Sequence, residues 1–141
     1  MKTYVLYSSD GAIGKITIVP IKLSTPEEIL GDLTSLSYME LDGARVITPS
    51  TEYVDVATKT IVPRPTLTPT ISATSVPADG TTTIDITGLP NPTDFELEGP
   101  ARASGTTTDG TLQLTFDTPG TYTLTLRAWP HQDYVVTLNA T

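Results

Sequence analysis

Among its 141 residues the chain has no cysteine. That absence removes disulfide staples and thiolate metal centres together, so stability must come from packing and strand pairing. Charge is scarce as well: Asp, Glu, Lys and Arg make up 17% of the residues, and 16 acidic side chains outnumber 8 basic ones, for a net charge of -8. A surface of that sign repels phosphate backbones, and no basic cluster or aromatic stacking platform offsets it, so nucleic acid is not an expected partner. No run approaches the roughly 18 apolar residues of a membrane span, which argues against membrane insertion. The opening Met1-Lys2-Thr3-Tyr4-Val5-Leu6-Tyr7 holds an apolar run shorter than the roughly 7–15 residues of a secretory signal core, so synthesis in the cytoplasm is the expectation. A single histidine and a single tryptophan leave few ways to assemble an acid–base pair or a stacking site.

What is present is a Thr-rich pattern of period two, punctuated by Gly and Pro. The most informative stretch is Asp117-Thr118-Pro119-Gly120-Thr121-Tyr122, followed by Leu124, Leu126 and Ala128 in alternation. Pro119 presets the turn, Gly120 accepts a positive φ and Asp117 can bond its own backbone. A Tyr opening a strand after such a turn is the mark of a tyrosine corner, in which the hydroxyl returns to the backbone a few residues upstream. Apolar residues also alternate at Ile84 and Ile86, at Phe95 and Leu97, and at Leu112, Leu114 and Phe116, with a last strand from Tyr134 to Leu138 and a first around residues 71–76. Six or seven short strands separated by turn signals such as Asp79-Gly80, Gly99-Pro100, Gly105 and Asp109-Gly110 predict an antiparallel immunoglobulin-like β-sandwich over residues 70–141. Trp129 has the opposite parity to Leu124 and Leu126. It either projects outward or, where the strand bends at Pro130, caps the end of the core.

The preceding residues are of a different character. Thr3 to Tyr7 and Lys15 to Val19 read as a hairpin around Ser8-Ser9-Asp10-Gly11. Thr25 as N-cap, Pro26 at the first helical position and Glu28 three residues after the cap predict a short helix that Gly31 keeps to about two turns. Asp42-Gly43, between 36–41 and 45–48, is the strongest short hairpin signal, and residues 52–56 can pair with 60–62 across Ala57-Thr58-Lys59. Three prolines within residues 63–69 favour a stiff extended segment. The chain is therefore expected to be mainly β. A small strand-rich N-terminal module with one short helix (1–62) is joined by a Pro-rich linker (63–69) to the C-terminal sandwich (70–141).

Candidate chemistry is thin. His131 and Asp133 lack a nucleophile in a recognisable setting. Asp94, Glu96 and Glu98 share one strand face and can offer oxygens to calcium, but such a row is more often a solvated face that discourages edge pairing. Asp10-Gly11-Ala12-Ile13-Gly14 lacks the Lys-Ser/Thr ending of a phosphate loop. Asn139-Ala140-Thr141 fits a glycosylation sequon by chance. No enzymatic activity, metal or cofactor is expected.

Two stretches carry a resemblance. Thr51-Glu52-Tyr53-Val54-Asp55-Val56-Ala57-Thr58-Lys59-Thr60-Ile61-Val62-Pro63-Arg64-Pro65 resembles the HYVD-x-x-T-G-x-V-V-PRP segment that closes the N-terminal module of minor tail proteins of tailed bacteriophages, and the Tyr4 to Ile18 hairpin is similar to their starts. Gly88-Leu89-Pro90, Phe116-Asp117-Thr118-Pro119-Gly120-Thr121-Tyr122 and Ala128-Trp129-Pro130 are similar to the immunoglobulin-like domains they carry. The likeness covers most of the chain. It implies a structural protein of the virion, at the collar or tail tip, that docks on other tail proteins, forms a ring-shaped homo-oligomer and projects its C-terminal domain. On that reading Tyr4, Leu6, Ile16, Ile18, Tyr53 and Val54 are docking candidates and Trp129 with Tyr134 candidates for an outward contact, all of them core candidates as well, and Asp117, Pro119, Gly120 and Tyr122 define the corner. Two alternatives remain: a carbohydrate-binding module that holds a phage near host surface polysaccharide through Trp129, and a tail assembly chaperone absent from the finished particle.

Overall fold

The protein is described from a computed structural model over residues 2–19, 37–43 and 45–141. The helix expected after Thr25 lies outside the described residues. The chain divides into two compact units, Met1–Arg64 and Pro65–Thr141, and is mainly β, with thirteen strands and no helix among the described residues.

In the first unit β1 (Lys2–Tyr7) is the central strand, flanked antiparallel by β2 (Ile13–Val19) and β3 (Ser37–Asp42). β1 is buried from Thr3 to Tyr7, as a strand with neighbours on both edges tends to be. Its turn is held by Asp10, whose carboxylate accepts from the Ser8 hydroxyl and, at 3.1 Å, from the Ala12 N–H. These bonds hold the Asp10 carboxyl below the ordinary carboxylate range. A register shift between Leu6 and Tyr7 marks a bulge.

The hairpin expected at Asp42-Gly43 does not form. Residues 45–48 are not a strand, and β3 pairs with β1 instead. The reason is Thr3: its buried hydroxyl donates to the Gly43 carbonyl at 2.7 Å and accepts the Arg45 N–H at 3.1 Å, tying the turn to the central strand. Beyond it, Glu52 accepts from the Thr48 N–H at 2.9 Å and from the Arg45 guanidinium at 2.8 Å. β4 (Glu52–Asp55) and β5 (Thr60–Pro63) form the expected hairpin, with Lys59 at φ 53° and the Asp55 carboxylate accepting from the Ala57 and Thr58 N–H groups. Val5, Tyr7, Met39, Ile47 and Val54 share the core of this unit.

The stretch expected as a linker is divided between the units. Pro63 pairs with Glu52, and the Arg64 N–H donates to Thr51 at 2.7 Å; the Pro65 carbonyl accepts from Gln132 at 2.8 Å, and Leu67 is buried in the second core. Its prolines stiffen the chain, and Pro63, Arg64, Pro65 and Leu67 are each engaged within the unit to which they belong.

The second unit holds two sheets. One has the order β10-β9-β12-β13-β7 and the other β11-β8-β6, where β6 is Thr70–Ile71, β7 Ser75–Val76, β8 Thr83–Thr87, β9 Thr93–Glu98, β10 Ala103–Thr107, β11 Leu112–Thr115, β12 Gly120–Arg127 and β13 Tyr134–Ala140. Ile84, Ile86, Leu112 and Leu114 of the smaller sheet and Leu97, Tyr122, Leu124, Leu126 and Leu138 of the larger one belong to a single buried cluster. Strict alternation puts each of these on an inward face.

Two local expectations change. The first strand around 71–76 is split, with β6 in the smaller sheet and β7 parallel to β13 in the larger. Ser72 exchanges bonds with the Asp85 backbone at 2.9 Å, while the Thr74 carbonyl accepts from Asn139 at 2.9 Å; three residues thus carry the chain from one sheet to the other. Gly105, expected as turn punctuation, lies in the middle of β10 opposite Phe95.

Candidate functional site

The corner sits at the start of β12. Tyr122 is 1% exposed, and its hydroxyl donates to the Thr118 carbonyl at 2.8 Å. Its ring lies 4.6 Å from that of Phe116, centroid to centroid. Two glycines make room. A Cβ on Gly99 would lie 2.7 Å from the Tyr122 ring and 2.8 Å from the Thr121 carbonyl oxygen, while one on Gly120, at φ +146°, would lie 2.5 Å from the Pro100 ring. Asp117 and Pro119 stay exposed in the turn. Sequence reasoning found Tyr122 and Gly120 but read Gly99-Pro100 only as a turn; a close approach across strands has no signature in residue type alone.

From this corner β12 runs up the outer face of the larger sheet. That face presents Asp94, Glu96 and Glu98 on β9, Thr123, Thr125 and Arg127 on β12, and Val135 and Thr137 on β13. Arg127 donates to Glu96 at 3.0 Å and to Asp133 at 3.2 Å, which raises its own pKa. The Thr106 hydroxyl donates to Asp94 at 2.6 Å. Glu96 and Asp94 are thus engaged with cationic and hydroxyl partners, and no cluster of three metal-binding side chains occurs among the described residues. His131 and Asp133 diverge: His131 Nδ1 lies 3.1 Å from the Ala128 carbonyl, while Asp133 turns to Arg127.

At the end of β12, Ala128 is buried, Trp129 is 42% exposed and Tyr134 is half-buried where β13 begins. Val135, 60% exposed, faces out beside Thr125. Trp129 therefore presents part of its indole to solvent. Two shallow hollows flank β10. One, of about 260 Å³, is lined by Glu96, Glu98, Arg102 and Ser104; the other, of about 400 Å³, lies over Phe95 between Thr106, Asp109 and Gln113.

The N-terminal candidates separate by burial. Tyr4, Leu6 and Val54 are buried, Ile16 and Tyr53 are half-buried, and the Ile18 side chain lies outside the described residues. Tyr4 lies 6.4 Å, ring to ring, from the exposed Tyr38. The residue that organises this unit is one expected only to turn a hairpin. Gly11, at φ +86°, accepts from the Val54 N–H at 3.0 Å, and a Cβ there would fall 2.0 Å from the Val54 carbonyl oxygen. The close approach lets the β4–β5 hairpin bond to the β1–β2 turn.

Compared with known proteins, the chain matches no family model, no curated protein and no solved structure.

Proposed function

We propose that this chain is a structural, non-enzymatic component of a tailed-bacteriophage virion, a minor tail protein of the collar or tail tip. Its second unit is read as an immunoglobulin-like β-sandwich. The observation that carries the reading is the Tyr122-to-Thr118 bond at the foot of β12, set in a sheet whose order, β10-β9-β12-β13 with β7 added beside β13, matches an immunoglobulin-type layer with an extra edge strand. The same residues that resemble phage immunoglobulin-like domains are the ones that build this corner and its upper end at Ala128-Trp129-Pro130. The TEYVDVATKTIVPRP segment supports the tail assignment in the same way, because it forms the hairpin that closes the first unit.

Assembly then proceeds through exposed apolar side chains and sheet edges, since main-chain pairing gives affinity without a pocket. In the first unit the half-buried Tyr53 and Ile16 and the exposed Tyr38 and Val56 are better docking contacts than the buried Tyr4, Leu6 and Val54. A ring of copies bound to other tail proteins multiplies each weak contact by valency. Arg127, paired with both Glu96 and Asp133, fits a scaffold better than a catalyst. Mass spectrometry and immunogold labelling of purified particles test the proposal: the chain is expected in intact virions at the tail. Its presence only in lysates would make it an assembly chaperone instead.

The exposed indole of Trp129 favours a second reading, weak binding of host surface polysaccharide. As the single tryptophan, it reports directly. Quenching or a shift of its emission on titration with the polysaccharide supports this reading, and a flat titration removes it.

A further inference from the structure

β10 is the open edge of the five-stranded sheet, opposite the two-residue β7. We propose that β10 pairs antiparallel with β10 of a second copy of this chain, about a two-fold axis at Gly105, joining two five-stranded sheets into one. This deepens the assembly reading by naming the strand and the geometry, and it relies on that reading only for the crowding that brings copies together.

Sheet edges are commonly guarded by shortness, proline, bulges or charge. β6 and β7 are guarded by shortness, at two residues each. β10 has none of these devices. Its five residues, Ala103-Ser104-Gly105-Thr106-Thr107, are uncharged and free of proline, run in unbroken register along β9, and are exposed except for the half-buried Thr107. Gly105 lies over Phe95, where a Cβ would come within 3.1 Å of the ring, and the strand pairs with β9 along one edge only.

Charge selects the occupant and its direction. Arg102 directly precedes β10, and Asp109 follows it by two residues, fixed by the Thr107 hydroxyl at 2.8 Å and the Thr111 N–H at 3.0 Å. Antiparallel pairing centred on Gly105 sets each Arg102 opposite the second copy's Thr108, one residue from its Asp109, so opposite charges meet at both ends of the paired strands. Parallel pairing would stack like on like. The same register sets Ser104 opposite the partner's Thr106, a hydroxyl pair of the kind that supports cross-strand packing. A five-residue edge buries less than the roughly 1,200–2,000 Å² of a stable dimer interface, so the pairing is weak in dilute solution and is strengthened where copies are already held side by side.

The test uses the full chain, whose lack of cysteine makes an introduced thiol unique. Ser104→Cys and Thr106→Cys proteins are mixed and oxidised. Directly opposed Cα atoms at about 4.5–5.5 Å lie within disulfide reach, while like-with-like pairs two residues out of register do not. A mixed disulfide exceeding both self-disulfides supports the register; equal yields, or none at high concentration, overturn it. The double variant Ser104→Lys, Thr106→Lys changes only exposed side chains. It is expected to abolish self-association seen for the wild type by sedimentation at high concentration; unchanged association overturns the proposal. A cross-linked pair from a chain missing from purified virions would uphold the pairing and remove the particle reading.

Discussion

Replacing Tyr122 with Phe isolates one atom. The ring keeps its place against Phe116, at 4.6 Å between centroids, and over Gly99; only the hydroxyl and its 2.8 Å bond to the Thr118 carbonyl are lost. A net intramolecular hydrogen bond contributes about 0.5–1.5 kcal/mol, and an acceptor left buried and unpaired costs about 1–3. Thr118 is an exposed turn residue, so water can take over its carbonyl and the larger penalty is avoided. The expected loss is therefore about 1 kcal/mol, or a fall in Tm of about 4–8 °C for a unit of this size. Urea denaturation followed by the emission of Trp129 is well suited as the assay, because the only tryptophan lies in the unit that contains the corner. The midpoint should move with the slope unchanged. An unchanged midpoint would mean the hydroxyl contributes nothing in the native state. A loss above about 3 kcal/mol would show that removing the oxygen disturbs ring packing as well, and the single-bond account would fail.

Gly99→Ala should cost about 1–3 kcal/mol by overpacking, read by the same unfolding assay, because its Cβ meets both the Tyr122 ring and the Thr121 carbonyl. Gly11→Ala adds positive-φ strain to a backbone clash with Val54 and should cost about 2 kcal/mol or more; amide exchange should show lost protection in β4 and β5 while β12 and β13 keep theirs. Asp79 accepts from the Thr82 N–H and hydroxyl and from the Thr81 N–H, which hold its carboxyl far below 3.8, and bonds led by the Thr107 hydroxyl lower Asp109 in the same direction. With folded pKa values below the unfolded ones, the unfolded chain takes up protons first. Thermal stability should thus be level above about pH 5 and decline as pH falls through the carboxylate range; the decline is shallow because both groups are exposed, and Asp79→Asn should flatten it further in melts recorded as a function of pH.

Period-two segregation was legible wherever a strand buries one face. Ile84, Ile86, Leu124 and Leu126 are fully buried as their alternation requires, and the Tyr122 hydroxyl reaches four residues back as the turn chemistry implies. β10 was not legible, for the same physical reason. Its inward position is Gly105, pressed on Phe95, so it needs no large apolar residue and shows no alternation. The split of β6 from β7 was also hidden, because the switch depends on main-chain and hydroxyl bonds from Ser72 to Asp85 and from Asn139 to Thr74, which join residues far apart in the chain.

The first unit shows how a strong local signal yields to a tertiary bond. Asp42-Gly43 has the chemistry of a two-residue hairpin, and Gly43 does adopt a positive φ of 83°. Yet the strand that would complete the hairpin is absent, because the Thr3 hydroxyl on the central strand bonds both the Gly43 carbonyl and the Arg45 N–H. A buried threonine on a strand is usually read as a β-former; here it redirects the chain toward Ile47, a member of the core. The same logic separates the two classes of candidate contact. Side chains such as Val54 and Leu6, chosen for apolarity, are consumed by the fold, whereas the surfaces left for assembly are exposed apolar side chains such as Tyr38, Val56 and Trp129 together with an edge of small polar residues. The edge carries little hydrophobic signature, so its use must be read from which backbone groups the completed sheet leaves open.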